Sequence, residues 1–311
     1  MEQVFALTVT NVCKTLIYIA LGYIFYHSKR FPKDTPKVLS TISTMLFYPA
    51  YSIRNLAQNF TIDKVGEKAL LLGFGLLCLV LVFGLACLLG KLFGRTHIEL
   101  RTLTYAFTIP NYAYFGFPII ESVFGPEMLA DVIIFTLPFS IMNNTFGYWL
   151  ITSSSGISWK KTLTAPVLWA PLIGITLGLS GLQLPAICSD LLAACGSCMS
   201  PVSMLLVGFV LGHIKIRQLL SSGRAYLLSA VRLLLIPALF GVVMFFCGLR
   251  ESFLLIPLVV LSMPIAVNTV VFPESCGVDT TDNAKLVFIS YILALAVLPL
   301  SFSLISHLAF L

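Results

Sequence analysis

Two stretches decide the fold of this 311-residue chain. The first is Ile109-Pro-Asn-Tyr-Ala-Tyr-Phe-Gly-Phe-Pro-Ile-Ile-Glu-Ser122, and the second is Met263-Pro-Ile-Ala-Val-Asn-Thr-Val-Val-Phe-Pro-Glu-Ser275. Each places a proline inside an apolar run, a Phe-Pro eight or nine residues later, and then Glu-Ser. A proline inside a helix removes one backbone hydrogen bond and blocks another. In lipid the freed groups must find partners in protein or in a water-lined cavity. At about 1.5 Å per residue, Asn111 lies about 15 Å beyond Arg101, and Pro264 about 15 Å before Glu274. Both breaks therefore fall near the middle of a hydrocarbon core about 30 Å thick.

The sequence around these stretches is that of a membrane protein. Its apolar fraction is 58% and its charged fraction 10%, with a mean hydropathy of +0.98; a soluble domain is about 25% charged. Such a chain could not cover its own surface with polar groups, so a soluble enzyme is excluded. Membrane barrel strands alternate over about ten residues, whereas the run from Leu70 to Leu89 is continuously apolar. Ten helical spans follow, at roughly 5–27, 38–58, 69–93, 101–121, 127–151, 162–180, 188–213, 224–248, 252–273 and 284–308. They leave no room for a soluble domain. The fold class expected is an all-α polytopic membrane protein built from two inverted five-helix repeats, residues 1–155 and 156–311. The broken stretches then sit at equivalent spans, four and nine, and cross at mid-membrane. Inverted repeats with paired broken helices mark secondary transporters.

Basic residues set the orientation. Lys29, Arg30, Lys33, Lys37, Lys91, Arg95, Arg101, Lys160, Lys161, Lys215, Arg217, Arg224 and Lys285 fall on one side, thirteen in all, against Lys64, Lys68 and Arg250 on the other. The thirteen are assigned to the cytoplasm. Both termini then lie outside, and the first span is retained rather than cleaved as a signal peptide. Localisation follows as multi-pass in the plasma membrane, the inner membrane in a prokaryote. Topology alone accounts for the +6 net charge, with no nucleic-acid partner needed. The eight cysteines, Cys195-Gly-Ser-Cys198 included, read as small buried packing residues, and no metal or cofactor site is expected. No HExxH or GxSG occurs, and the four histidines sit at span ends, which argues against an intramembrane enzyme.

Ile109-Pro-Asn111 followed by Gly116-Phe-Pro118 resembles the fourth-helix motif of the auxin efflux carrier family. Met263 to Phe272 resembles the ninth-helix motif of its bacterial members. Weaker similarities lie at Leu21-Gly-Tyr23, Tyr48-Pro-Ala50 with Arg54, Pro201 to Gly208, and Arg232-Leu with Pro237. The resemblance implies ten helices divided into a scaffold (helices 1, 2, 6 and 7) and a transport domain (helices 3–5 and 8–10) that moves as an elevator. It also implies a homodimer and organic-anion substrates, indole-acetate in plants and malate or malonate in bacteria. The long cytoplasmic loop of plant carriers is absent, as in the short microbial type.

The first candidates for substrate binding are Asn111 and Asn268, each beside a break proline, Pro110 or Pro264. A buried amide must be hydrogen-bonded, and the new half-helix at each break opens with free N–H groups and a positive dipole end suited to a carboxylate. Tyr112, the Asn143–Asn144 pair and Ser52 are further candidates. Lys14 and Arg232 are intramembrane cations, costly and usually functional; Lys14, close to mid-depth, is a candidate counter-ion or stand-in for a coupling cation, while Arg232, about eight residues from the inner end of its span, is a candidate whose long side chain could also reach the interface. No acidic residue is placed securely within a span. Coupling to a proton or to sodium stays open beside uniport. The function expected is a secondary transporter of a small organic anion, with a non-transporting sensor of the same fold as the alternative.

Overall fold

Proline and glycine shape the helices in the computed structural model, which describes residues 2–32, 34–152 and 164–309. The expectations at Lys33, Lys160 and Lys161, and the repeat boundary at 155/156, lie outside the described residues. The described chain is helical throughout, with one isolated β-bridge. In order come α1 (Glu2–His27), α2 (35–59), α3 (Ile62–Phe93), α4 (His97–Thr108), α5 (112–124) and α6 (Pro126–Thr152). There follow α7 (Pro166–Ser180), α8 (Ala186–Leu211), α9 (Gly223–Phe246), α10 (Glu251–Leu261), α11 (Asn268–Ser275) and α12 (Thr281–Ala309). Six of these, α1, α3, α6, α8, α9 and α12, are long and apolar enough to cross a membrane; α7 and α10 are shorter and apolar.

Three prolines leave the same local mark. Widened π-turns at Ser43–Phe47, Tyr112–Gly116 and Val231–Leu235 each end two residues before a proline, at Pro49, Pro118 and Pro237. The proline ring clashes with the carbonyl four residues back, and one turn of wider helix relieves it without ending the rod. The Pro49 position is therefore a bulge within α2, not a break. The segments 109–111 and 262–267 interrupt their helices with non-helical backbone, whereas α8 is notched by a single turn residue at Cys198.

The bundle is held by close backbone contact. α1 packs on α8, α2 on α7 and α8, α3 on α4 and α6, and both α9 and α10 on α12. A Cβ on Gly22 would stand 2.2 Å from the Leu205 carbonyl oxygen, and one on Gly208 2.1 Å from that of Ile19. Helices in lipid gain little from apolar burial, and small residues let them approach instead. Gly75 does the same for α3, where a Cβ would meet the Phe135 oxygen at 2.2 Å. The outer surface carries Leu70, Leu76, Leu77, Leu81 and Leu88 on α3 alone, a face that suits hydrocarbon and not water.

Candidate functional site

The two breaks meet. Pro110 pairs in antiparallel fashion with Ile265, and the Asn111 N–H donates to the Pro264 carbonyl at 2.8 Å. Other groups freed by the breaks also have partners, as burial in an apolar bundle requires. The Ile265 N–H donates to Ser290 Oγ at 3.2 Å, and that hydroxyl donates to the Val287 carbonyl. The Leu261 carbonyl, last in α10, accepts from Arg232 Nη1 at 2.8 Å. The Thr269 carbonyl accepts from Asn283 Nδ2 at 2.9 Å.

Beside this crossing lies a cavity of about 90 Å³, room for a few water molecules. Its floor is Pro110, Asn111, Ala266 and Asn268; α6 contributes Ser140, Asn143 and Asn144; Ser40, Thr44 and Tyr48 of α2 and Val167 of α7 close it from the other helices. The polar side chains are cross-braced. Asn111 Nδ2 donates to the Tyr291 hydroxyl on α12. The Tyr105 hydroxyl donates to Asn143 Oδ1 at 2.5 Å. Tyr112 and Ser140 share a hydrogen bond of 2.7 Å, and Asn144 Nδ2 donates to the Ser140 carbonyl at 2.8 Å. Among the described residues, no carboxylate or ammonium lines the cavity. Its field therefore comes from amides, hydroxyls and the positive N-terminal ends of α5 and α11.

Of the residues expected from sequence, Asn111, Asn268, Pro110, Tyr112, Asn143 and Asn144 line this one cavity, while Pro264 supplies the carbonyl that joins the breaks. Three others are elsewhere. Ser52 is fully buried in α2, its hydroxyl without a partner. Lys14 lies on the exposed face of α1 with Thr10, Ile17 and Ile24, turned away from the crossing. Arg232 is fully buried behind α10, outside the cavity. Two acidic residues near helix ends are partnered inside the bundle. Asp131 in α6 forms an ion pair with Lys68 of α3, the lysine 4% exposed, so each charge is buried with its partner, as burial demands. Glu121 in α5 accepts a hydrogen bond from Tyr51. The cysteines, expected to be buried, mostly are not: only Cys78 is, and Cys188, Cys198, Cys247 and Cys276 are exposed. Sequence reasoning passed over Tyr291, Tyr105, Ser140 and Tyr48. Their only signal was a hydroxyl inside an apolar run, which many packing residues share.

A broken-helix crossing beside a polar cavity, inside a bundle with six helices long and apolar enough to cross a bilayer, is the architecture of a multi-pass membrane protein. The chain belongs to the membrane transport protein family of auxin efflux carriers, whose model matches residues 7–157 and 150–302. It is 28% identical over 201 residues to an uncharacterised transporter of Methanothermobacter thermautotrophicus, covering 64% of this chain and 66% of that one. It is 25% identical over 208 residues to the uncharacterised transporter YfdV of Escherichia coli, covering 63% and 65%. The chain thus spans just under two thirds of the length of each of these relatives.

Proposed function

We propose that the chain is a secondary transporter for a small organic anion, a carboxylate of the malate or malonate kind or an auxin-like aromatic acid, working by alternating access at the crossing. The observation that carries this is the cavity itself. Asn111 and Asn268 face it from two breaks whose backbones hydrogen-bond to each other. Both following half-helices begin there, and no acidic side chain among the described residues lines it. Two positive helix ends in a weakly screened interior favour an anion and repel an amine. Asn111, Asn268, Asn143 and Asn144 are assigned to the substrate's oxygens, and Tyr112 to its carbon skeleton.

In this reading ten spans form two inverted five-helix halves, 1–155 and 156–311, with both termini outside and the plasma membrane as location. Helices 1, 2, 6 and 7 form the scaffold of a homodimer; helices 3–5 and 8–10 carry the site past it. Hydrogen bonds across that boundary cluster at one end of the bundle, from Tyr51 to Glu121, Asn55 Nδ2 to the Pro126 carbonyl at 3.0 Å, and Asn11 Nδ2 to Ser122 Oγ at 2.8 Å. Ser40 and Thr44, near the start of α2, line the cavity. This supports a state sealed outside, with the cavity toward the cytoplasm.

Flux of labelled malate, malonate or indole-acetate into proteoliposomes tests the proposal. Saturable uptake, lowered at least tenfold by Asn111→Ala, is expected. Binding without flux would make the protein a sensor, and neither binding nor flux for any carboxylate would refute the substrate class.

A further inference from the structure

Arg232 is the largest side chain that is fully buried. It stands on the π-turn of α9, and no acidic group pairs with it among the described residues. Its single hydrogen bond is from Nη1 to the carbonyl of Leu261. Leu261 is the last residue of α10, three before Pro264. The guanidinium thus lies against the negative, C-terminal end of a half-helix, where carbonyls lack intrahelical partners. Among the described residues, Nε and Nη2 have no hydrogen-bond partner.

Broken-helix transporters divide their charges in a regular way. Half-helix N-termini meet anionic groups of the substrate, and half-helix C-termini with unwound carbonyls hold the coupling cation. Here α5 and α11 present the N-terminal ends to the cavity, and α10 presents the corresponding C-terminal end to Arg232. A bound metal ion would need several oxygens at this place; the guanidinium already takes one of them and brings a full positive charge. A second cation beside it in a low-dielectric interior would be strongly repelled.

We propose that the Arg232 guanidinium permanently fills the cation site at the end of α10, so that no sodium ion is bound at this crossing and anion binding is sodium-independent. The inference rests on the transporter reading above and deepens it. Arg232 is then a positioning residue. It touches no substrate, but keeps the broken end of α10 in register and adds positive potential behind the crossing. The π-turn before Pro237 brings it to this place.

The test uses purified full-length protein in detergent, read by its thermal midpoint and by carboxylate titration. Sodium, potassium and N-methylglucamine chlorides are compared at equal ionic strength. For the wild type, midpoint and affinity should be the same in all three. Arg232→Ala should lose tenfold or more in affinity and recover part of it in millimolar guanidinium, which a purely space-filling arginine would not permit. Arg232→Lys should keep most of the affinity. A wild-type midpoint or affinity that rises with sodium would overturn the proposal, as would an Arg232→Ala protein that binds the anion as tightly as wild type. If Arg232→Ala does not fold, the wild-type sodium comparison and Arg232→Lys decide. If no carboxylate binds the wild type, the transporter reading fails, and the sodium dependence of the midpoint still decides the fate of this inference.

Discussion

Replacing Tyr291 with Phe removes one hydroxyl and no packing volume of consequence. That hydroxyl accepts from Asn111 Nδ2, and Tyr291 is 1% exposed and outside the cavity lining. The change therefore acts on substrate only through Asn111. Hydrogen bonds between membrane helices contribute on average about 0.6 and at most about 1.7 kcal/mol. At about 1.4 kcal/mol per factor of ten, freeing the Asn111 amide from its one fixed orientation should weaken binding between about three- and twentyfold. Asn111→Ala, which removes both the brace and the contact, should cost at least tenfold. The double variant should be no worse than Asn111→Ala alone, because residues joined in one network are not additive. The assay is concentration-dependent uptake into proteoliposomes, with the thermal midpoint as a check on folding. Wild-type affinity in Tyr291→Phe, or a double variant whose losses multiply, would refute the proposed role of the brace.

Further outcomes follow from the same geometry. Lys14→Leu should leave uptake and stability unchanged, since Lys14 faces away from the crossing; a tenfold loss of uptake would return it to the site. Lys68→Met should destabilise by about 3–5 kcal/mol through the stranded Asp131 carboxylate, and Lys68→Met/Asp131→Leu should recover much of that in a denaturation series. Gly208→Leu should separate α1 from α8 and lower the thermal midpoint sharply, because even a Cβ would come within 2.1 Å of the Ile19 oxygen; an unchanged midpoint would contradict the packing described. Tyr105→Phe should weaken uptake more than it lowers the midpoint, as its hydroxyl orients Asn143.

The two breaks were legible because proline acts locally. Its missing N–H interrupts a helix wherever the chain goes, and an amide beside it in an apolar run needs a polar destination. Other prolines within the helices show the limit of that logic. Pro49, Pro118 and Pro237 follow π-turns rather than breaks, and Pro138, Pro171, Pro257 and Pro299 lie inside helices that run on through them. For Lys14 and Arg232 the sequence showed that each sits within an apolar run, but not which way it faces. A lipid-facing surface is as apolar as the core, so the usual amphipathic stripe is lost. The buried edge of α1 is instead marked by Thr8, Thr15 and Gly22, small residues that pack closely. Asp131 and Tyr291 stayed hidden because each matters only through a partner more than sixty residues away, Lys68 and Asn111.

The central claim is that the crossing of the two broken helices binds an anion. Titration of the purified protein with malate, malonate, indole-acetate and matched amines, beside Asn111→Ala and Asn268→Ala, tests it most directly. The account predicts saturable stabilisation by at least one carboxylate, none by the amines, and loss of the response in both variants. Stronger stabilisation by an amine, or carboxylate binding that survives in both variants, would contradict it.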